Sequence, residues 1–335
     1  MIKLGIIGCG RIAGAHINAI RSLKGKFDVV SLFDVNADKA EEFSKKTGIK
    51  VIHNLDELLS DNSIDLVSIT VPDGFHYEMA KKALLAHKNV LLEKPIALNI
   101  NEINDLLGFS SKEKLFLGVV LQKRLFKAFK EVKRMIRNEE IGHLFLTSFQ
   151  QIWYRDEHYF ENSWHGNKKI DGGLILNQSA HNIDLIDWIS GPIGKVFAYG
   201  GTIVKKKIET EDAVSSVFKT KRGIGNITLT ISSYPSNYGE LFEFIGDKGK
   251  IAIGTGAFEH LTSEKLLTYM PELKRPTLSG YGHRLVYDEV YKALSGENID
   301  SVSIKNTYHS FLVGLGIRKS LEENKEVIIG GKNEH

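Results

Sequence analysis

The sequence predicts two regions of different architecture, an α/β region followed by an α+β region. Up to about residue 122, short Val, Ile and Leu runs alternate with amphipathic helix patterns, which is typical of a parallel sheet covered on both faces by helices. Beyond that point, longer β-branched and aromatic runs contain two hairpin-type turns, which favours an antiparallel sheet. We therefore predict a doubly wound parallel-sheet domain over 1–122 and an α+β domain with a large, mostly antiparallel open sheet over 123–335.

The first domain alternates apolar runs with helical periodicity. The predicted strands are "KLGIIG", "FDVVSLFD", a short "VIHN", "DLVSITVP", "NVLLEKP" and "KLFLGVVLQ". The predicted helices are 12–23, "ADKAEEFSKKTG", "LDELLSD", "GFHYEMAKKALLAH" and "NINEINDLLGFSSK". This alternation is the pattern of a doubly wound sheet.

The second domain opens with the amphipathic helix pattern "KRLFKAFKEVKRMIRN". The predicted strands are "HLFLTSFQQIWY", "KVFAYGGTIV", "DAVSSVFKTKRGIGNITLTISSYP" and "GELFEFIGDKGKIAIGTG", with hairpin turns in "TKRGI" and "GDKGK". Helices are predicted over 281–294 and 308–323, and the tail "GGKNEH" is expected to fray.

Composition excludes several classes of protein. Lys and Arg total 44 against 41 Asp and Glu, a net charge of +3, which is too balanced for a nucleic-acid-binding protein. The run "KKK" at 205–207 is followed by acidic residues and is expected to form a solvated turn. The single cysteine, Cys9, allows no internal disulfide, and no metal-ligand spacing is present. The first residues run directly into a strand pattern and no run has the length of a membrane span, so we expect a cytoplasmic protein.

The segment "GIIGCGRIAGAH" carries the spacing G-x-G-x-x-A at Gly8, Gly10 and Ala13. It follows a predicted strand and opens a predicted helix, which is the context of a dinucleotide-binding Rossmann turn. Gly8 permits the tight turn, Gly10 the close approach of a pyrophosphate, and Ala13 the packing of helix on strand. We expect Arg11 and Ile12, at the start of the helix, to contact the cofactor as well.

The next strand ends at Asp34, near the expected distance from the glycines. A carboxylate there can accept both ribose hydroxyls and would repel a 2′-phosphate. The sequence therefore favours NAD over NADP, with Asn36 and Lys39 nearby as the features that leave NADP open. Cys9 is expected to be a small residue in the turn rather than a redox group.

"LLEKP" places Lys94 just after a predicted parallel strand, where ligands of such sheets bind. Its ammonium group can reach a cofactor ribose or a substrate hydroxyl and favours a developing alkoxide. Pro95 predicts a fixed bend, for which a cis bond is an option. Pro72 and His76, near a helix start, are expected beside the cofactor; a packing role would explain His76 equally well.

The segment "DGGLILNQSAHNIDLIDW" carries Asn177 and His181 four positions apart in an apolar run. On a regular helix these side chains share one face. They are either satisfied core groups or site residues, and the residues alone leave that choice open.

Taken together, "GCGRIAGAH", "VPDGFHYEMAKKALLAHKNVLLEKP" and "DGGLILNQSAHNIDLIDW" resemble the Gfo/Idh/MocA oxidoreductase family in order and spacing. The resemblance implies NAD(P)-dependent oxidation or reduction of CH–OH groups in sugars and cyclitols. It implies a catalytic lysine at Lys94, within an E-K-P motif whose Glu93 is expected near the cofactor, and a catalytic acid/base at His181. It also implies a homodimer or homotetramer formed through the sheet of the second domain.

The family's common aspartate in the histidine motif is replaced here by Asn177. An asparagine at this position, together with "GVVLQKRL", resembles the branch that acts on nucleotide-linked amino sugars, including 3-dehydrogenases of the UDP-N-acetylglucosamine type. We expect the substrate to be held by Lys94, Asn177, His181 and a further set of polar and aromatic residues. That set is Gln122, Arg124, Tyr154, Arg155 and Trp164.

Two alternative functions remain open from the sequence. One is an inositol or free-sugar dehydrogenase of the same family, and the other is a non-catalytic protein that senses the dinucleotide and binds a partner protein. The presence of both Lys94 and His181 ranks the second of these low. His16 and His53 lack the context of a site and are assigned no role.

Overall fold

In the computed structural model, which describes residues 1–297, 299 and 301–330, the first sheet is built from parallel strands. The strands are β1 (Ile2–Ile7), β2 (Phe27–Phe33), β3 (Leu66–Ile69), β4 (Asn89–Leu92) and β5 (Leu117–Val119). Their order, β2-β1-β3-β4-β5, places β1 in the interior of the sheet. The buried strands read as continuous apolar runs because both faces are covered.

The helices between these strands begin and end largely where the sequence predicts. They are α1 (Ala13–Ser22), α2 (Ala37–Thr47), α3 (Leu55–Ser60), α4 (His76–Leu85) and α5 (Ile100–Lys112). Asn36, Asn54 and Asn99 accept backbone N–H bonds as N-caps, and Gly48 ends α2 in the left-handed conformation. The predicted strand "VIHN" is wrong: Val51 makes only an isolated bridge to Leu32, because the loop passes the edge strand β2 without pairing further.

The second sheet is mostly antiparallel. Its strands are β6 (Leu144–Ile152), β7 (Ile193–Gly201), β8 (Ala213–Thr220), β9 (Ile224–Thr230), β10 (Gly239–Gly246), β11 (Gly249–Gly254) and β12 (Val327–Ile328). The order is β11-β10-β6-β9-β8-β7-β12, and the β6–β9 pair is parallel. The predicted hairpins are confirmed as the β8–β9 and β10–β11 connections.

Five further helices complete the part of the chain that the structure describes. They are α6 (Lys127–Arg137), α7 (Ala180–Ser190), α8 (Met270–Leu273), α9 (Tyr281–Leu294) and α10 (Ile304–Glu323). α10 begins four residues before the predicted 308. No helix among the described residues has the length and apolar character needed to cross a membrane. Of the tail "GGKNEH", residues 331–335 lie outside the described residues.

The chain divides into two compact units that differ from the predicted division at residue 122. Unit 1 comprises 1–125 and 275–307, and unit 2 comprises 126–274 and the chain from 308. The returning segment of unit 1 contains α9, whose Val286, Tyr287 and Val290 are fully buried in one apolar cluster with Ile17 and Ile20 of α1. Burial of this apolar face against α1 accounts for the membership of α9 in unit 1.

Candidate active site

The turn between β1 and α1 contains two glycines that are required for different reasons. Gly8 has φ +99°, and a Cβ there would lie 2.8 Å from the carbonyl carbon of Thr70, so the protein's own packing demands glycine. A Cβ on Gly10 would meet no atom of the described residues within 4 Å. The missing side chain at Gly10 leaves open space, which fits the predicted approach of a cofactor pyrophosphate to this backbone.

Arg11 and Ile12 form the turn that leads into α1. Arg11 is exposed and Ile12 is half-buried, whereas Ala13 is fully buried. Ile12 occupies the N-cap position and provides no side-chain hydrogen bond to the helix. The first N–H groups of α1 therefore have no side-chain cap from Ile12, and they must donate to backbone oxygens, solvent or a ligand. A helix start that binds phosphate is expected to have this property.

Asp34 is fixed beside this glycine turn. Its Oδ2 accepts a hydrogen bond from the Cys9 backbone N–H at 2.7 Å, and its Oδ1 accepts one from the Asn36 N–H at 2.8 Å. The Asn36 side chain is occupied as the cap of α2, where it accepts the Lys39 N–H at 3.0 Å. The carboxylate is therefore fixed beside the glycine turn, and its contact with the ribose hydroxyls stays a prediction.

The Cys9 thiol is a buried packing group. Burial, assisted by the negative charge of Asp34, raises the pKa of the thiol to about 12. Because the thiolate is the reactive form, this side chain is not a nucleophile at neutral pH.

Lys94 lies in the turn after β4 and is half-buried. The bond between Lys94 and Pro95 is cis. Nδ1 of His76 lies 2.5 Å from the Pro95 carbonyl oxygen, and its Nε2 lies 2.9 Å from the Val71 carbonyl oxygen. A neutral imidazole carries one N–H and donates to one of these oxygens. His76 thus connects the turn after β4 to the turn after β3, and its ring is buried, as the packing alternative requires.

Glu93, the residue before Lys94, is buried and bonded to two histidines. Its Oε1 accepts hydrogen bonds from Nε2 of His16 and from Nε2 of His283, each at 3.0 Å. Burial alone would raise the pKa of Glu93, but these bonds outweigh it and hold that pKa well below its usual value. Burial lowers the pKa of His16, which favours the neutral ring.

The segment after the Gly-Gly pair is not a regular helix. Leu174–Gln178 forms a π-helical turn, Ser179 follows, and α7 begins at Ala180. Asn177 lies in the π-turn and His181 in α7, so the predicted single face of one α-helix is wrong. A π-turn widens the backbone spiral, and such turns occur frequently at functional sites.

Asp171 fixes the start of this segment. This buried carboxylate accepts the N–H groups of Gly166 at 2.6 Å and Gly173 at 2.9 Å. It also accepts the Asn177 side-chain Nδ2–H at 2.9 Å. Gly173 has φ +66°, and a Cβ there would lie 2.9 Å from Thr210, so the turn requires glycine.

His181 is half-buried, whereas the next six residues of α7 are buried. Asn182, for example, donates to Gln151 Oε1 at 2.7 Å and to Glu240 Oε1 at 2.9 Å. α7 is therefore anchored through its other side chains, while His181 stays partly exposed as a residue, with its Nδ1 atom buried.

Arg155, one of the predicted substrate-binding residues, lies among aromatic side chains. Its guanidinium donates to Gln178 Oε1 at 3.2 Å and to the Tyr154 carbonyl at 3.0 Å, and it lies 5.4 Å from the ring centre of Tyr159. Gln178, in the π-turn beside Asn177, donates to the Tyr159 hydroxyl at 2.7 Å. Arg155 is therefore bonded to the residue that follows Asn177 in the π-turn.

Trp164 is half-buried and stacks on His165, with ring centres 4.0 Å apart. The same His165 ring packs edge-on against Tyr159 at 4.2 Å. The three rings form a compact aromatic group that joins the Arg155 contacts through Tyr159.

Gln122 and Arg124 lie in a short 3₁₀ turn after β5, at the carboxyl end of the parallel sheet. Both side chains are buried, and Arg124 donates to the Asn306 carbonyl at 3.0 Å. Binding of substrate by these two residues stays a prediction.

The prediction that the basic turn at 205–207 is fully solvated is wrong for Lys205. Lys206 and Lys207 are exposed, but Lys205 is buried, and its Nζ lies 3.5 Å from Glu157 Oε1 and 5.4 Å from the ring centre of Tyr154. The turn folds inward because Asp212 accepts backbone N–H bonds from residues 203–205.

Two family models match the chain. Residues 2–120 match an oxidoreductase family with an NAD-binding Rossmann fold, and residues 129–252 match the GFO/IDH/MocA C-terminal domain. The chain belongs to the GFO/IDH/MocA oxidoreductase family.

Known proteins similar to this GFO/IDH/MocA chain include several dehydrogenases. The WlbA dehydrogenase of Bordetella pertussis, solved in complex with NADH and UDP-GlcNAcA, has a TM-score of 0.92 at 26% identity and covers 99% of this chain and 98% of its own. Myo-inositol 2-dehydrogenase of Thermotoga maritima is 25% identical over 75% of this chain and 74% of that protein. Glucose-6-phosphate 3-dehydrogenase of Bacillus subtilis is 28% identical over 76% and 75%.

The comparisons confirm the predicted family, the Rossmann fold with a second, mostly antiparallel sheet, and NAD as the cofactor. The protein is an NAD-dependent dehydrogenase of the GFO/IDH/MocA family. The roles of the individual site residues stay predictions.

Sequence reasoning missed three residues that organise this GFO/IDH/MocA site. The sequence assigns no role to His16 or His283, and it shows Asp171 only as part of a motif. A histidine within the apolar face of α1 could have marked His16 as a buried polar group in need of a partner. The sequence contains no signal that pairs it with residues 93 and 283.

Proposed function

We propose that this protein oxidises a ring hydroxyl, at C3, of a nucleotide-linked amino sugar with NAD as acceptor. The observation that carries the proposal is the full-length similarity, at a TM-score of 0.92, to a dehydrogenase solved with NADH and UDP-GlcNAcA. Asn177, where the family commonly has aspartate, supports the same branch. The substrate class is therefore that of the UDP-GlcNAcA in that complex.

When bound, NAD supplies the hydride acceptor for the carbon that bears the reacting hydroxyl. Gly8, Gly10 and the start of α1 would hold its pyrophosphate, and Asp34 its ribose hydroxyls. The open space at Gly10 and the fixed carboxylate of Asp34 fit these roles.

Lys94 and His181 are the proposed catalytic residues. As the C–H bond breaks, the hydroxyl oxygen gains negative charge, which the Lys94 ammonium stabilises. His181 accepts the hydroxyl proton through its imidazole and later releases it to solvent. The C–OH group would thus become a carbonyl, with its proton on His181 and its hydride taken up by the NAD that the glycine turn and Asp34 would hold. The partial exposure of His181 supports this exchange.

The nucleotide and sugar would be held mainly by unit 2. Arg155 carries the positive charge that suits a phosphate or carboxylate, and the aromatic rings beside it suit the faces of sugar or base. The half-buried Trp164 and Tyr154 belong to this group. Gln122 and Arg124, after β5, are proposed as further substrate contacts.

The test is NAD reduction by the purified protein with UDP-GlcNAcA, UDP-GlcNAc, myo-inositol and glucose 6-phosphate. We expect the highest kcat/KM with a UDP-linked sugar, and a 3-keto product by mass spectrometry and NMR. Highest turnover with myo-inositol or glucose 6-phosphate would instead support the second candidate, a cyclitol or free-sugar dehydrogenase, which the relatives with those activities favour. NAD binding without turnover of any of the four would support a non-catalytic sensor.

We also propose that the open face of the second sheet forms a homodimer or homotetramer interface. Leu146, Phe197, Tyr199, Val217 and Ile224 lie on one face by the strand register. Tyr199, Val217 and Ile224 are each more than half exposed in the single chain, and burial of such apolar groups drives association. Sedimentation of wild type against a Val217→Lys variant tests this, with monomers expected only for the variant. A cytoplasmic location stays a prediction.

A further inference from the structure

A buried polar cluster in unit 1 consists of His16, Glu93 and His283. The three residues are 0%, 7% and 1% exposed, respectively. Both imidazoles meet the same carboxylate oxygen, at 3.0 Å each, and their ring centres lie 4.7 Å apart. Such a buried polar group has a high desolvation cost unless its hydrogen bonds are made.

The hydrogen bonds of this cluster run in one direction. Because a carboxylate only accepts, each imidazole donates its Nε2–H to Glu93. The Tyr287 hydroxyl donates to Ser68 Oγ at 3.0 Å, and the Ser68 hydroxyl lies 3.0 Å from His16 Nδ1, where it can donate in turn. The chain Tyr287, Ser68, His16, Glu93 is therefore complete with neutral His16.

Two histidines and a carboxylate are also metal-ligand types, and their ligand atoms lie within 4.8 Å of one another. A metal ion would require an unprotonated Nε2 on each ring. The hydrogen-bond chain uses each Nε2 as a donor and satisfies both nitrogens of His16, whereas the buried Nδ1 of His283 has no hydrogen-bond partner among the described residues. The arrangement therefore favours a hydrogen-bonded anchor over an ion site.

The cluster of His16, Glu93 and His283 contacts the turn that carries Lys94 through the Glu93 carboxylate. Glu93 Oε2 accepts the Lys94 backbone N–H at 3.3 Å, and the Glu93 N–H donates to the Ile69 carbonyl at 3.0 Å. The carboxylate therefore ties the backbone of Lys94 to α1 through His16 and to α9 through His283. On the other side of Lys94, the Pro95 carbonyl is held by His76 of α4.

We propose that His16 and His283 are positioning residues for Lys94, acting through the buried Glu93 carboxylate. This inference rests on the proposed catalytic role of Lys94. A displacement of about 1 Å at a catalytic group can cost about 100-fold in rate. Loss of one histidine–Glu93 hydrogen bond should therefore lower kcat. The glycine turn and Asp34, which are proposed to hold the cofactor, should stay in place.

The experiment compares His283→Ala, His283→Gln and His283→Asn with wild type. The amide nitrogen of glutamine reaches the position of Nε2 and can donate to Glu93, whereas asparagine is too short. We expect kcat to fall about 10- to 100-fold in the alanine and asparagine variants. The Kd for NAD is expected to stay within about 3-fold, and glutamine is expected to restore most of kcat. If the alanine variant does not fold, the asparagine–glutamine pair gives the same comparison.

Asp288→Asn is the matched control, because Asp288 lies on the same helix and pairs with Lys26 and Lys292 at the surface. It is expected to leave kcat unchanged. Unchanged kcat in the alanine and asparagine variants would overturn the proposal, as would parallel loss of NAD binding that glutamine fails to restore. Stoichiometric zinc in the purified protein, lost in the alanine variant, would also overturn it in favour of a metal site.

A Lys94→Ala variant, assayed beside the His283 variants, distinguishes failure of the catalytic role of Lys94 from failure of the positioning role of the histidines. If Lys94→Ala keeps wild-type kcat, the proposed function of Lys94 fails and the positioning role fails with it. If Lys94→Ala loses turnover while the histidine variants keep it, only the positioning role fails.

Discussion

The turn after β4 and the π-helical turn before α7 each bring a proposed catalytic side chain into place, but their anchors come from different distances along the chain. Glu93 is bonded to His16, 77 residues earlier, and to His283, 190 residues later. Asn177 is bonded to Asp171, only six residues away. The first turn is held by long-range tertiary contacts, whereas the π-turn combines a local carboxylate with a more distant one, Glu211, which accepts the Ile175 N–H at 2.9 Å.

This difference predicts how each turn responds to change. The turn at Lys94 depends on α1, α4 and α9 being packed together, so it should be sensitive to anything that loosens unit 1. The π-turn carries one carboxylate anchor, Asp171, within its own motif, so its geometry should depend less on the packing of unit 1 and more on the bonds from Asp171 and Glu211.

The largest effect is expected from Lys94→Ala. Loss of the ammonium group removes stabilisation of the developing alkoxide, and we expect kcat to fall by about 10³-fold, within the range for such groups. NAD binding, followed by fluorescence titration, should change little. Lys81→Ala serves as a control, because Lys81 pairs with Asp105 away from the turn; equal turnover in both variants would contradict the role of Lys94.

His181→Ala should lower kcat by about 10²-fold and change the shape of the pH profile. Removal of the group that accepts the proton should abolish the limb of the kcat/KM profile that reports its ionisation. The measurement is initial rate from pH 5.5 to 9. A profile that keeps its wild-type inflections would remove His181 as the acid/base and make α7 a purely structural element.

Asn177→Asp tests the local anchor. It would place a second carboxylate where the amide now donates to Asp171 at 2.9 Å. Because two adjacent buried carboxylates cannot both ionise without cost, we expect the free energy of unfolding to fall by about 1–3 kcal/mol, measured by urea titration at pH 7. The double variant Asp171→Asn/Asn177→Asp should recover part of this loss. No recovery would mean that the pair is not the anchor.

The smallest effect is expected from mild acid, which should lower the stability of unit 1 gradually. Burial lowers the pKa values of His16 and His76 below 6.5 in the folded protein. The unfolded chain then binds more protons than the native chain below pH 6.5, so this stability is complete above pH 6.5 and is lost as pH falls. Hydrogen exchange should detect loosening around α1 and α4 as pH drops from 7 to 5.5.

All three tryptophans, at 153, 164 and 188, lie in unit 2. Their fluorescence should stay unchanged at a pH where exchange in unit 1 has already risen. If tryptophan fluorescence and hydrogen exchange in unit 1 change at the same pH, the two turns respond alike to acid. The proposed difference between their anchors would then be wrong.

Much of the fold follows from local patterns in the sequence. The continuous apolar strands, the asparagine caps at Asn36, Asn54 and Asn99 and the two hairpin turns are local signals, and the structure has them close to the predicted bounds. "VIHN" is the exception, because the chain there follows the edge strand β2 only at Val51, which bridges Leu32, and then turns away.

The candidate site was predictable to the extent that its motifs are local. Gly8, Gly10, Asp34 and Lys94 follow from the order of strand, turn and helix. The π-turn at Leu174–Gln178 was not predictable, because it depends on Asp171 and on Thr210 packed against Gly173. A sequence pattern gives spacing along a helix, and an extra residue in one turn changes that spacing.

By itself, the sequence determined the family, the two kinds of sheet and the NAD-binding turn, because these depend on apolar periodicity and on glycines required at particular backbone conformations. Only the tertiary structure decided that α9 returns to unit 1 and that His283 and His16 converge on Glu93. The physical reason is that a buried carboxylate needs donors close in space, and nothing in a one-dimensional pattern specifies which distant histidines folding will bring within 3.0 Å of it.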